Sequence, residues 1–215
     1  MDKYAEISEL FGIEVPAGYS AEEFESAKTA VGGLPLELEQ FFLNYGKSPE
    51  LHGLQDELIF PGQHKALLDP DYIIFFNENQ GVCQAAVKKS DTNLPDPPVY
   101  TSVDNGEWTV SCPRVSDFLI AMFGYQASIC LEFSPEEFYF ITPEEKEKIE
   151  GLFQKREQHF NSWIYDWDVT LYGDNNEGRI AVMENGGDLQ MNYAANTEEE
   201  FLRIQNLLKE IGEPM

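Results

Sequence analysis

Residues 71–89, DYIIFFNENQGVCQAAVKK, decide how this chain folds. The runs DYIIFF (71–76) and VCQAAVKK (82–89) are short and rich in β-branched and aromatic residues, and the polar stretch NENQG (77–81) lies between them. That is the pattern of two strands joined by a loop. Working outward, DELIFPGQ (56–63) reads as a short strand or turn before the hairpin. After it, NLPDPPVYTSV (93–103) is held extended by its prolines, and DNGEW (104–108) supplies an Asn-Gly turn into the strand WTVSC (108–112). The middle of the chain is therefore β-rich.

Helices are expected on both sides of it. Residues 2–11 form an amphipathic helix through Tyr4, Ile7, Leu10 and Phe11, ended by Gly12, with GIEVPAGY as connector. Ser20 and Glu23 have the spacing of a capping box that opens a helix burying Phe24, Ala27 and Val31. In GGLPLELEQFFLNYG (32–46), Pro35 suits a first helical turn and Gly46 the position past the end, while Leu34, Leu38, Phe41, Phe42 and Tyr45 make one apolar face. VSDFLIAMFG (115–124) is an apolar helix expected to end at Gly124. The capping spacing recurs at Ser134/Glu137, Thr142/Glu145 and Thr197/Glu200, each a candidate helix start. A helix over 143–160 would carry Ile149, Leu152, Phe153 and Phe160. WIYDWDVTLYG (163–173), RIAVMEN (179–185) and DLQMNYAA (188–195) follow as three antiparallel strands linked by DNNEG and GG turns. A closing helix over 197–211 places Phe201, Ile204, Leu207, Leu208 and Ile211 on its core face before Gly212. The expected class is α+β: one domain with an α+β C-terminal extension, no low-complexity linker interrupting it.

Composition narrows the function. With 14 basic and 39 acidic side chains the formal charge is −25, of which residues 1–125 carry −13 and the rest −12, so the acidity is spread and not a tail. Such a surface repels phosphate backbones, which argues against nucleic-acid partners, and it attracts cationic ones. Acidity of this kind also serves solubility. The start MDKYAEISEL lacks a signal core, and no run approaches the roughly 20 apolar residues that span a bilayer; a cytoplasmic, membrane-free protein is expected. Three cysteines without CxxC spacing support neither a disulfide framework nor a zinc site, and reduced buried thiols are expected.

Catalytic constellations are sparse. Nucleophilic chemistry would need Cys or Ser beside an oriented histidine, and none of His52, His64 and His159 sits in a motif; Cys83 or Cys112 beside His64 is the pairing on offer, with buried structural cysteine the favoured reading. DNNEGRIAVMEN misses the calcium-loop template and reads as a hairpin loop. Asp166 and Asp168 would share a strand face and offer a carboxylate pair for glycoside hydrolysis, one such pair among many acids. No P-loop or GxGxxG spacing is present. No catalytic residue, cofactor or metal is expected, and binding is favoured over chemistry.

Taken in order, the acidic helix, LPLELEQFFLNYG, IFPG, YIIFFNENQGVCQAAV, DPPVY and WTVSCPRVSDFL resemble the SUKH superfamily, which includes fungal cell-wall glucan synthesis regulators and many bacterial immunity proteins. The resemblance covers residues 18–125, with 1–17 as an N-terminal helix and connector and 126–215 as a helix-hairpin-helix extension. It implies a curved, mostly antiparallel sheet flanked by helices, without cofactor or catalytic residues. It also implies an antidote that binds and sterically blocks a bacterial toxin domain, often a nuclease and hence basic; the fungal branch implies a scaffold or regulator of glucan synthesis instead. One departure is CQAAV in the second hairpin strand, where Gln84 and Ala85 stand in place of an aromatic and leave a smaller surface. The expected partner contacts are in the loops between the central strands: Asp69, Asp71, Glu78, Asp96, Asp104, Glu107 and Trp108.

Overall fold

The computed structural model describes residues 3–63, 68–164 and 166–215. Helices form where caps and apolar spacing agree. α1 (Ala5–Phe11) buries Ile7 and Leu10 and stops at Gly12. α2 (Ala21–Val31) begins in the expected capping box, Glu23 N–H donating to Ser20 Oγ at 3.3 Å and Ser20 N–H to Glu23 Oε2 at 2.9 Å. α3 (Leu36–Tyr45) buries its whole predicted face, with Pro35 at the N-cap and not in the first turn. Gly46 has an ordinary φ of −60°. Space is what requires glycine there: a Cβ would come within 2.7 Å of Phe42 Cδ1 and 2.8 Å of Tyr19 Cδ2.

The later helices depart from expectation. α4 (Val115–Cys130) runs through Gly124 for six more residues. A helical glycine costs about 1 kcal/mol, but Tyr125 to Ser128 are all buried, and a Cβ at Gly124 would meet Leu171 Cδ1 at 2.6 Å. Packing outweighs propensity. α5 (Pro143–Leu152) has its capping box from Thr142 and Glu145, yet it ends eight residues early. Beyond it Lys155 pairs with Tyr172 and Arg156 N–H donates to Leu171 O, so sheet bonding claims the chain. α6 (Glu198–Leu208) is capped by Thr197, while the Glu200 carboxylate turns to Arg203 at 2.7 Å. Leu152 and Leu207, expected in the core, are 41% and 38% exposed.

No helix starts at Ser134. Phe133 pairs with Ala195 and Tyr139 with Met191, so the chain between must cover about 13 Å alongside its partner strand. Six helical residues would cover only about 9 Å.

The described strands make two antiparallel sheets, so the chain is α+β. The first is a meander of β1 (Glu57–Leu58), β2 (Tyr72–Asn77), β3 (Cys83–Lys88), β4 (Val99–Val103) and β5 (Thr109–Cys112). The β2–β3 hairpin is the expected one, with Ile73 opposite Val87 and Ile74 opposite Ala86. In the β4–β5 turn the left-handed residues are Asp104 (φ 52°) and Asn105 (φ 57°), and Gly106 N–H donates to Val103 O at 2.8 Å. That is the backbone of a type I′ turn one residue upstream of the Asn-Gly pair. The second sheet has the order β11-β6-β10-β9-β8-β7, from β6 (Tyr139–Phe140), β7 (Phe160–Trp163), β8 (Trp167–Tyr172), β9 (Gly178–Asn185), β10 (Asp188–Ala195) and β11 (Glu213–Pro214). The expected strands over 179–185 and 188–195 are β9 and β10, while the one expected over 163–173 is broken: Trp163 ends β7 and β8 begins only at Trp167.

The chain divides into two compact units. One comprises Ile13–Leu119 with Ser162–Tyr165, the other Met1–Gly12, Ile120–Asn161 and Asp166–Met215. The first is therefore not continuous in sequence: Trp163, 1% exposed, packs edge-on against Phe76 at 6.3 Å and Phe118 at 6.4 Å. Its Nε1–H donates to buried Asp56 Oδ2 at 3.2 Å. Reaching that position forces φ of 56° at Ser162 and 39° at Ile164. For a β-branched residue that is strain of about 1–3 kcal/mol, which the buried indole offsets.

The other unit is organised around Arg179, fully buried on β9. Its Nη1 donates to Asn175 O at 2.5 Å and Gly178 O at 2.8 Å, and its Nη2 to Asn176 Oδ1 at 2.9 Å and to Glu6 of α1. Arg156 adds a second bond to Glu6 at 2.6 Å. Burial pushes the guanidinium down from its usual range, and the Glu6 charge opposes that.

Two stability changes follow from these cores. Trp163→Ala should lower stability by about 3–5 kcal/mol through the lost ring and the lost bond to buried Asp56, seen as a lower urea midpoint. Glu6→Gln removes the carboxylate charge facing buried Arg179 and should cost about 3–5 kcal/mol, read the same way, with exposed Glu14→Gln as the surface control.

Candidate functional site

Strand parity and register build one face of the first sheet. Ile74, Ala86, Tyr100 and Val110 lie directly opposite one another across β2 to β5, so their side chains share a face. Tyr72 stands two residues before Ile74 and Trp108 two before Val110, at opposite corners of the four-strand block. The Tyr72 and Trp108 rings nevertheless stack, with centroids 4.5 Å apart and planes at 18°. Tyr100 meets Tyr72 edge-on at 5.6 Å. Sheet twist raises two diagonal corners toward each other, and the methyl of Ala86, fully buried in the middle, leaves room for the rings to join. The small residues of CQAAV thus make the aromatic face possible. Tyr72, Tyr100 and Trp108 are half-buried and Val110 is 58% exposed.

Acids bracket this face. Asp69 Oδ1 accepts the N–H groups of Asp71 at 2.8 Å and Tyr72 at 2.9 Å, setting where β2 begins, and Asp71 is exposed beside Tyr72. At the opposite corner Asp104 and Glu107 are exposed in the turn that leads into Trp108. No basic residue occurs between Lys89 and Arg114; Lys88, opposite Tyr72, is the cation on the ladder itself. Glu78 and Asp96 serve their own loops. Glu78, 4% exposed, accepts Gln80 N–H at 2.9 Å and Val82 N–H at 3.2 Å across the β2–β3 loop. Asp96 accepts Ser116 N–H at 3.0 Å and Ser116 Oγ–H at 2.6 Å at the start of α4.

The structure therefore places Asp69 and Asp71 at the Tyr72 corner and Asp104 and Glu107 at the Trp108 corner, with Asp69 bonded within its own turn, Glu78 within the β2–β3 loop and Asp96 to the start of α4. Sequence reading did not single out Tyr72, Tyr100 or Val110. The period-2 spacing of Tyr72/Ile74 and Trp108/Val110 was visible, but only the register shows that both pairs look the same way.

Chemistry elsewhere is limited. Burial raises the Cys83 thiol to about 12 and the Cys112 thiol to about 11, so both are neutral at pH 7. His64, their suggested partner, lies outside the described residues. Asp166 sits in a turn at φ 66° ahead of β8, while Asp168 is within the strand, so the two do not share a strand face as alternation had suggested. The DNNEG segment is the β8–β9 hairpin loop, as expected. Among the described residues no group of three or more His, Cys, Asp or Glu is placed to hold a metal, and no helix is long and apolar enough to cross a membrane. Comparison with known proteins finds no matching family model, no matching curated protein and no matching solved structure.

In the native protein at pH 8, Cys130, half-buried, should be the first thiol labelled by a disulfide reagent. Cys83 and Cys112 should label only on unfolding, because their thiolate fractions stay small until the pH approaches 11. Counting fast thiols before and after adding denaturant checks this.

Proposed function

We propose that this chain is a non-catalytic binding protein of SUKH type, an immunity protein that binds and sterically neutralises a basic bacterial toxin domain such as a nuclease. In this reading residues 18–125 form the SUKH-like curved sheet with its helices, and 126–215 are an extension. The supporting observation is the aromatic face of Tyr72, Tyr100, Trp108 and Val110 bracketed by Asp69, Asp71, Asp104 and Glu107. Aromatic side chains are the usual energetic centre of a protein interface, and a mainly acidic rim, with Lys88 and Lys89 confined to the Tyr72 corner, steers a cationic partner toward the Trp108 side. A toxin that grips nucleic acid presents the opposite charge, and covering that surface is sufficient to stop it.

The test is a tagged pull-down from the native organism at low and moderate salt, with bound proteins identified by mass spectrometry. A single basic, toxin-like protein lost as salt rises is the expected result. Association with it should slow about tenfold at low salt for the triple change Asp71→Lys, Asp104→Asn, Glu107→Lys, in which Asn keeps the left-handed turn position accessible. Capture of several envelope-synthesis proteins would favour the scaffold or regulator reading, and unchanged association kinetics would remove this face as the site.

A further inference from the structure

β5 ends the first sheet, and among the described residues no strand pairs with its outer side. Proteins normally guard such an edge with charge, proline, strain or extreme shortness. The other edges here are guarded: β1 carries Glu57, β11 carries Glu213 and Pro214, and β7 has a φ of 56° at Ser162. β5 has neither a charge nor a proline within Thr109–Cys112, and Thr109 and Val110 are exposed. Its regular part is short. Val99 aligns with Cys112 but Tyr100 with Val110, so Ser111 is a bulge that ends the even ladder. The regular paired edge is thus Thr109 and Val110, with Glu107 and Trp108 leading into it outside the strand.

That short edge is continuous with the aromatic face, because Val110 lies opposite Tyr100 and Trp108 precedes it by two residues. It is also electrostatically one-sided. Asp104 and Glu107 stand at its start, and the run from Ser90 to Pro113 contains no lysine or arginine.

Resting on the binding reading above, we propose that the partner adds an extended, cationic segment as a sixth strand along β5. Main-chain hydrogen bonds to Thr109 and Val110 would set its register, and alternate side chains would fall on the two faces of the sheet. On the face shared with Tyr72 and Trp108, an arginine or lysine meets ring faces and the carboxylates of Asp104 and Glu107, a favourable setting for a cation.

The probe is the hexapeptide Arg-Val-Arg-Val-Arg-Val, blocked at both ends, titrated into the full chain at low salt while backbone amide resonances are followed. A second peptide of the same sequence alternates L and D residues, which keeps charge and composition but cannot extend as a regular strand. The all-L peptide is expected to bind at least tenfold tighter and to shift the Thr109 and Val110 amides first, and Val110→Lys should weaken it at least tenfold. Val110 is largely exposed, so that variant keeps the fold. Equal binding of the two peptides, no binding, or shifts centred away from Thr109 and Val110 overturns the proposal. The two readings fail separately. A native partner whose capture is slowed by the acid-rim changes, while the all-L and alternating peptides bind equally or shift amides away from Thr109 and Val110, leaves the binding function and removes the edge mode; strand-selective peptide binding without a toxin-like partner does the reverse.

Discussion

Register in the five-stranded meander governs what the first unit can be. Ile73, Val87 and Val99 are aligned on one face and Ile74, Ala86 and Tyr100 on the other. Side chains alternate, so a slip of one residue would move the core set to the opposite face and bury Tyr72 and Tyr100 in its place. The β2–β3 hairpin holds that register through its loop, where buried Glu78 takes two backbone N–H groups. At the other end Asp69 ties the start of β2, and Lys89 N–H donates to Asp71 O at 2.8 Å. The same acids that make the chain so negative therefore have local duties in keeping the sheet in step.

Both units place a large polar-tipped side chain at their centre and give it partners there, although Nε of Arg179 has none among the described residues. Trp163 comes from a segment remote in sequence, and its N–H finds Asp56. Arg179 is fully enclosed and shares Glu6 with Arg156. Buried groups of this type add little net stability over a well-packed apolar core, yet removing one partner is expensive because the other is left unpaired. They specify which segments meet: α1 and β9 around Arg179, and residues 162–164 with the β2 and α4 side chains around Trp163.

Surface ion pairs have a smaller role. Lys47 and Glu23 are 2.7 Å apart with side chains 42% and 47% exposed, and pairs of that kind contribute little in water. With 39 acids against 14 bases most carboxylates have no cation to meet. The excess is a mild penalty on the compact state and a long-range attraction for positive partners. On the β5 side of the meander the absence of lysine and arginine from residue 90 to 113 joins that field to an aromatic surface.

Much of the local structure could be read directly. The capping boxes at Ser20 and Thr142, the helix stop at Gly12, the buried face of α3, and the hairpins around NENQG and through β8 to β10 are set by interactions among residues a few positions apart, which the spacing of types reveals. The departures arose where distant chain segments compete: Leu171 packing against Gly124 carries α4 onward, and the ladder beside residues 155–172 cuts α5 short. The candidate site shows the same division. The acids and Trp108 were visible as loop residues next to strands, because charge and turn type are local properties. That Tyr72 reaches Trp108 over Ala86, that Glu78 and Asp96 turn inward, and that Trp163 completes a core formed mostly by residues 13–119 depend on register, twist and long-range packing, which no short window of sequence contains.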